Sequence, residues 1–302
     1  MRKFNDIEKA LSEAKIAFER DVPLAKLTSF GIGGPARLLA LPDTAEKTSR
    51  ALAVLVDKDV LVFPIGRGTN ILAADEGFEG ALIKATNAEI AHIEGNSFRA
   101  GAMAGLDSFV DTTAKSGYGS AIGLAGIPGS VGGAIAMNAG AWGVSTGELI
   151  ESVIAFDMTG DEISFDPTKM FSYRTFAMRG RAIIHSAMFK LSDESTPDEL
   201  SGKIADIRAQ RAKTQPLDKR SAGCAFKNPE GDHAGRLIDV AGLKGMAVGG
   251  AEVSKLHANF IVVREGTAAR DVLKLIEIVR DRIRREFNIE LELEIIKLGF
   301  GN

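Results

Sequence analysis

The sequence predicts an α+β fold, on three observations. Helical periodicity opens the chain and returns in two segments beyond residue 196, so helices flank a middle rich in strand-like runs. Three of those runs, near 149–157, 161–165 and 181–190, follow one another with no helical segment between them. The turn GRGTN at 66–70 closes a strand, yet the third glycine of G-x-G-x-x-G would fall at Ile71 and no helix pattern begins there. The turn is therefore not the Rossmann fingerprint.

Residues 5–20 read as an amphipathic helix, because Ile7, Leu11, Ala14 and Phe18 recur at helical spacing behind Asn5 as cap. ARLLAL at 36–41 is a strand, and DTAE at 43–46 opens the next helix with a carboxylate cap and Glu46 three residues on. VLVFPIG leads a strand to Gly66. Strand-like runs follow at 80–85 and 97–102, then a helix carrying Leu106, Phe109 and Val110. After the three consecutive strands, apolar periodicity stops at LSDESTP, 191–197, a natural boundary. Thr196, Pro197 and Glu199 then supply cap, first position and third position of a helix whose Leu200, Ile204 and Ile207 share one side. Residues 237–263 combine a short helix, a glycine-bearing connection and a strand. A long helix from Thr267 turns Val272, Leu275, Ile276, Val279 and Ile283 inward, and LELEIIK at 291–297 reads as the last strand. In that strand Glu292 and Glu294 share a face.

Composition narrows the function classes. Hydrophobic residues at 45% and charged residues at 25% are those of a globular protein, and 302 residues suffice for two or three domains. A net charge of −3 with a pI of about 5.9 gives no electrostatic support for nucleic-acid or membrane binding. One cysteine excludes an intrachain disulfide, and four scattered histidines assemble no zinc spacing. The start, MRKFNDIEKALSE, lacks the apolar core of a secretion signal, so a cytoplasmic protein is expected, with no membrane insertion and no obligate protein partner evident.

The densest signal lies between Ser116 and Glu148, with ten glycines, Pro128, and no charge before Glu148. Glycine has no Cβ and visits positive φ freely, so such clustering brings main-chain N–H groups close to a ligand, most simply a phosphate, or lets tight turns pack. A membrane span is disfavoured because Pro128 and the glycines would leave backbone groups unpaired in lipid. GRGTN stays open between a diphosphate turn and an ordinary hairpin turn. Taken singly, Arg174 in FSYRTFAMRG, Cys224 in SAGCAFKNP and His257 before a strand are each compatible with plain structural roles.

Taken together and in order, SFGIGGPA, GRGTNIL, GIPGSVGGAIAMNAGA, YRT, QPL, AGCAFKNP, GLKG, VSKLHANFIV and LELEI closely resemble the UDP-N-acetylenolpyruvoylglucosamine reductase family from about Leu24 to Leu298. The resemblance implies a two-lobed FAD-binding domain of the vanillyl-alcohol-oxidase (PCMH) type plus a C-terminal α+β substrate domain. The implied division is 1–85 as FAD lobe one with 288–302 returning to it, 86–195 as lobe two, and 196–287 for the substrate. It also implies non-covalent FAD, NADPH as co-substrate and a UDP-sugar substrate whose enolpyruvyl group is reduced.

The catalytic residues implied are Arg174, which would bind the enolpyruvyl carboxylate, Cys224 as proton donor, and Glu294 beside the flavin. If Glu294 hydrogen-bonds the developing oxyanion it must carry a proton. FAD contacts are carried onto Gly66, Arg67, Gly68, Thr69 and Asn70, onto Ile127, Pro128, Gly129, Ser130, Gly132 and Gly133, and onto Arg211. Substrate contacts are carried onto Tyr173, Lys227, Asn228 and His257; no metal is implied. The chain departs from the family in holding Cys224 where serine is usual, Leu293 where proline is usual, and Thr175-Phe176 where a serine generally follows two places after the arginine. The thiol is an acceptable donor, since one of ordinary pKa, about 8.5, is mostly protonated at pH 7. An oxygen-using oxidase on the same fold and a binding protein without turnover are the competing readings.

Overall fold

The computed structural model describes residues 2–301, Arg2 by its backbone alone. Its α+β class is the one expected, with seven α-helices among the described residues: α1 (Arg2–Glu13), α2 (Ala45–Asp57), α3 (Leu106–Lys115), α4 (Val131–Met137), α5 (Pro197–Thr214), α6 (Ala234–Val240) and α7 (Ala269–Phe287). The residues divide into two compact units, one of 1–20, 37–67 and 80–209, the other of 21–36, 68–79 and 210–302.

In the first unit, α1 and α2 bury Ile7, Leu11, Ala51, Leu52 and Leu55 with Leu38, Ala40, Ala81 and Ile83 of a four-stranded sheet. Its strand order is Ala17–Pro23, Pro35–Leu41, Phe78–Ile83, Val62–Pro64, and the last two run parallel. A five-stranded antiparallel sheet follows, ordered Glu162–Ile163, Ile150–Asp157, Ala182–Lys190, Ser97–Gly101, Ile90–Glu94. Phe98 and Phe189 of that sheet pack with Phe109 and Val110 of α3 and Val131 and Ile135 of α4.

The second unit holds a four-stranded antiparallel sheet, Arg220–Cys224, Phe260–Val263, Ala251–Val253, Ala247–Val248. Helices α6 and α7 cover it, burying Leu237, Ile238, Val272, Leu275, Ile276 and Val279 against Ala222, Val253, Ile261 and Val263. Ile296–Leu298 pairs in parallel with Ile71–Ala73.

Several boundaries differ from the sequence reading for identifiable reasons. The helix expected over 5–20 stops at Glu13, because Lys15 enters the left-handed region (φ 54°) and Ile16 N–H closes back on the Leu11 carbonyl at 2.9 Å. Phe18 then belongs to a strand. The cap of α2 is Thr44, whose hydroxyl accepts from Lys47 N–H at 3.1 Å, while Asp43 pairs with the Lys47 ammonium instead. The strand expected over 291–297 is regular only from Ile296, and Leu293 contributes an isolated bridge to Phe226. Thr196 caps α5 as expected, its hydroxyl accepting from Glu199 N–H at 3.3 Å.

Candidate functional site

In the first unit the glycine-rich stretch resolves into a turn feeding α4. Gly126 sits at φ 72°, its N–H donating to Asp107 Oδ1 at 2.7 Å, and Ile127 N–H returns to the Leu124 carbonyl at 3.2 Å. Gly129 accepts from Leu106 N–H at 3.2 Å, and Ser130 bridges Gly105 before capping α4 through Gly133 N–H at 3.3 Å. The amides of Val131 and Gly132 donate to the carbonyls of Ala104 and Ala102, each at 2.9 Å. A Cβ on Gly132 would lie 2.8 Å from the Ala102 methyl, so close packing accounts for this glycine. These amides are occupied by the fold.

Gly66, far away in sequence, comes to the same place. A Cβ on it would lie 2.6 Å from Ser130 Oγ, and the Arg67 guanidinium lies along Gly105, with Nη2 3.0 Å from where a Cβ would be. Gly66, Arg67, Gly129, Ser130, Gly132 and Gly133 are therefore brought together around the entry to α4.

Tyr173 and Arg174 form the tip of a hairpin whose arms pair Phe171 with Phe176 and Ser172 with Thr175. Tyr173 is 56% exposed, and the guanidinium carbon of Arg174 lies 5.5 Å from its ring centroid. Arg174 takes φ 54°, a region that L residues enter at a cost. The hairpin is anchored by stacking of Phe171 on Phe176, centroids 5.0 Å apart, and by Asn138, which caps α4 and donates from Nδ2 to the Ser172 carbonyl at 2.8 Å. The α4 end and the Tyr-Arg tip are thus tied through one buried asparagine, whose Oδ1 also accepts from Gly147 N–H at 2.9 Å.

In the second unit Cys224 lies at the end of the strand Arg220–Cys224. Ser221 faces Val262 but Cys224 faces Phe260, so one extra residue is accommodated, with Gly223 at φ 74°. In a regular strand Cys224 would share the core-facing side of buried Ala222; after the bulge it is half-buried. The chain then runs beside the C-terminal segment: Glu294 N–H donates to the Ala225 carbonyl at 2.9 Å and Lys227 N–H to the Glu292 carbonyl at 2.8 Å. Cys224 and Glu294 are brought onto adjoining backbone in this way. Asn70 joins them, its Nδ2 donating to the Glu294 carbonyl at 3.0 Å and its own carbonyl accepting from Ile296 N–H at 3.0 Å. Gly68 (φ 64°) has its α-carbon so close to the Leu27 carbonyl that any Cβ would overlap it, and Thr69 follows in the same turn.

Of the residues expected at the substrate, Lys227 turns its ammonium to the Glu292 carboxylate. Asn228 Oδ1 accepts from Ala234 N–H at 3.1 Å, capping α6. His257 stands edge-on to Phe260, centroids 4.7 Å apart, and its Nδ1 accepts from Asn259 N–H at 3.3 Å, which places the neutral ring's proton on Nε2. Burial, with a lesser contribution from the Lys244 charge, holds its pKa below that of an ordinary histidine. Arg211 is only 7% exposed, and it stands at helical spacing from Leu200, Ile204 and Ile207 along α5. That spacing was readable from the sequence and marks Arg211 as no ordinary surface arginine.

Asn259 and Asn138 lie within the motifs VSKLHANFIV and GIPGSVGGAIAMNAGA without a role assigned to them there, and Asp107 lies outside every motif, since each acts on backbone distant in sequence. Among the described residues no group of three or more metal-ligating side chains could hold a metal ion, and no helix is long and apolar enough to cross a membrane.

Comparison with known proteins identifies the family. A family model described as FAD binding domain matches residues 36–166, and one described as the C-terminal domain of UDP-N-acetylenolpyruvoylglucosamine reductase matches 215–298. A UDP-N-acetylenolpyruvoylglucosamine reductase of Beijerinckia indica is 38% identical over 292 residues, 96% of this chain and 93% of the relative. The crystal structure of UDP-N-acetylenolpyruvylglucosamine reductase from Thermus caldophilus superposes with a TM-score of 0.80 at 36% identity, covering 94% of this chain and 99% of that one. The protein of the same name from Clostridium botulinum is 36% identical over 284 residues, covering 93% of this chain and 92% of its own. At that identity and coverage, the chain belongs to the UDP-N-acetylenolpyruvoylglucosamine reductase family.

Proposed function

We propose that this protein reduces the enolpyruvyl group of UDP-N-acetylglucosamine enolpyruvate to give UDP-N-acetylmuramate, a cytoplasmic step of peptidoglycan precursor synthesis, with non-covalent FAD and NADPH as hydride donor. The reading is supported by the family membership and by one observation above all, the pairing that sets the Cys224 loop against the backbone of Glu294. The residues present fit FAD: glycine at 66 leaves Ser130 Oγ in reach of that strand end, and Arg67 lies beside it as a fixed cation. Gly66, Arg67, Gly68, Thr69 and Asn70, the turn from Ile127 through Gly133, and Arg211 would hold the cofactor, and 1–85 with 288–302, 86–195 and 196–287 would be its two lobes and the substrate domain.

The chemistry FAD would supply when bound is hydride transfer, from NADPH to the enolpyruvyl methylene carbon. The C=C bond of the substrate is thereby lost, charge moves onto the carboxylate side, and the neighbouring carbon takes one proton, completing a two-electron reduction. Arg174 would bind that carboxylate with its planar, permanently charged fork and steady the charge as it develops. Glu294, protonated, would donate to the same oxyanion. Cys224 Sγ–H would deliver the proton to carbon. Tyr173, Lys227, Asn228 and His257 would contact the UDP-sugar.

Purified protein is expected to be yellow and to consume NADPH only when the enolpyruvyl UDP-sugar is present, without consuming oxygen. Cys224→Ser should turn over, and Cys224→Ala should take hydride from NADPH and then fail to pass it on, the flavin absorbance staying bleached after substrate is added. Equal turnover in Cys224→Ala removes Cys224 from the mechanism; oxygen consumption without NADPH makes the protein an oxidase.

A further inference from the structure

We infer that Asn259 is a positioning residue for the proton-transfer step, holding the Cys224 loop in register with the Glu294 backbone through a two-way amide contact on Phe226. The inference rests on the assignment of Cys224 as proton donor made above. Asn259 is 3% exposed, and both ends of its side-chain amide are used on one residue: Phe226 N–H donates to Oδ1 at 3.0 Å and Nδ2 donates to the Phe226 carbonyl at 2.8 Å. Its own carbonyl accepts from Ala225 N–H at 2.7 Å, and its N–H is taken by His257 Nδ1 at 3.3 Å. The side chain therefore imitates a strand residue at the point where the regular ladder has ended, one residue past the Cys224–Phe260 pair.

That location decides what the contact does. The bulge at Gly223 takes Cys224 off the core-facing side, and a bulged strand end left to itself would be free to slip back by one residue, which would return the thiol to the core. Phe226 also bridges Leu293, and Ala225 accepts from Glu294, so the asparagine pins one side of a segment whose other side carries the carboxylate. The buried amide thus adds two side-chain bonds to the backbone ties that keep donor and acid in register. Only asparagine both accepts and donates at this length; aspartate accepts at both positions and would face the Phe226 carbonyl with like charge, unless protonated. The motif LHANF carries this residue beside His257, to which alone a role was assigned from the sequence.

The test compares Asn259→Asp and Asn259→Leu with the natural protein by three readouts: thermal melting, thiol labelling of the apoprotein, and the two flavin half-reactions in stopped flow. Cys224 is the only thiol, so labelling reports on its loop alone. Both variants should label about tenfold faster. Reoxidation by the enolpyruvyl substrate at about pH 8 should fall about tenfold, with reduction by NADPH within about twofold. Lowering the pH should restore reoxidation in Asn259→Asp, where the introduced carboxyl regains a donor, and leave Asn259→Leu impaired. Unchanged labelling and reoxidation overturn the inference, as does an equal loss in both half-reactions with no recovery at low pH. Should Asn259→Leu not fold, the pH profile of Asn259→Asp decides alone. If Cys224→Ala reoxidises normally the donor assignment fails instead, and the labelling arm still judges whether Asn259 holds the loop.

Discussion

At the scale of single residues, Arg174 combines a strained backbone with an assigned task. A non-glycine residue at φ 54° costs about 1 kcal/mol relative to glycine, and nothing in the pairing of Ser172 with Thr175 requires a side chain between them. Arg174→Gly removes that cost and loses the side-chain contacts, including the one with Tyr173, so net stability should change by no more than about 1 kcal/mol. Activity should fall at least about a hundredfold, the scale for losing one charge-stabilising donor. Melting curves together with kcat/KM separate the two effects; a parallel loss of stability and activity would mark Arg174 as structural. Arg174, Cys224 and Glu294 are proposed from the short, distinctive motifs that hold them. The contacts of Asn259, Asn138 and Asp107 were not legible, because what distinguishes them is a backbone partner distant in sequence, and residue type alone does not report it.

At the scale of elements, the sequence located six of the seven α-helices but missed α4 and several strands, Ala17–Pro23, Ile90–Glu94 and Arg220–Cys224 among them, and it does not report ends that are set by something non-local. Helix α7 begins with Ala268 at the cap position and has no local side-chain cap; instead both oxygens of Asp75 accept from Ala269 N–H, at 2.9 and 3.0 Å. A carboxylate there answers both the orphan donor and the positive end of the helix dipole. Asp75→Ala should cost about 1 kcal/mol, read as a lower denaturation midpoint at unchanged slope, and Asp75→Asn should recover part of it. A second non-local tie joins α3 to α5, where Arg208 Nη2 contacts Asp107 at 2.9 Å and Asp111 at 2.8 Å while Asp107 holds the Gly126 turn. These carboxylates are partly exposed, so solvent screens the pairs and the backbone bond to Gly126 is the larger effect. Asp107→Ala should therefore loosen the turn that precedes Ile127 and weaken FAD binding by about 1 kcal/mol, about fivefold, measurable by flavin fluorescence on titration of the apoprotein. Unchanged affinity would mean that the turn is held without Asp107.

At the scale of the whole molecule, buried His185 and half-buried His257 set how stability depends on pH. His185 donates from Nδ1 toward Thr48 Oγ at 3.3 Å, because that hydroxyl spends its own proton on the Thr44 carbonyl at 2.9 Å. Its pKa is depressed by burial, and that of His257 by burial first and the Lys244 charge second. A histidine depressed in the folded state takes up its proton more readily unfolded, so its stabilising contribution is complete above the unfolded pKa of about 6.5 and is lost as pH falls through the interval below it. Asp232, whose pKa is lowered to about 2 chiefly by its hydrogen bond to Arg236, acts in the same direction only at far more acid pH. Chemical denaturation should therefore show a midpoint that is level from about pH 8 to pH 7 and declines between about pH 6.5 and pH 5, before that carboxylate titrates. His185→Gln keeps a donor at the Thr48 hydroxyl without a titrating ring, so it should flatten part of the decline, and adding His257→Gln should flatten more. The histidines occupy different units and share no partner, so the two changes should add. A decline untouched by both substitutions would assign the acid sensitivity to carboxylates rather than to buried imidazole.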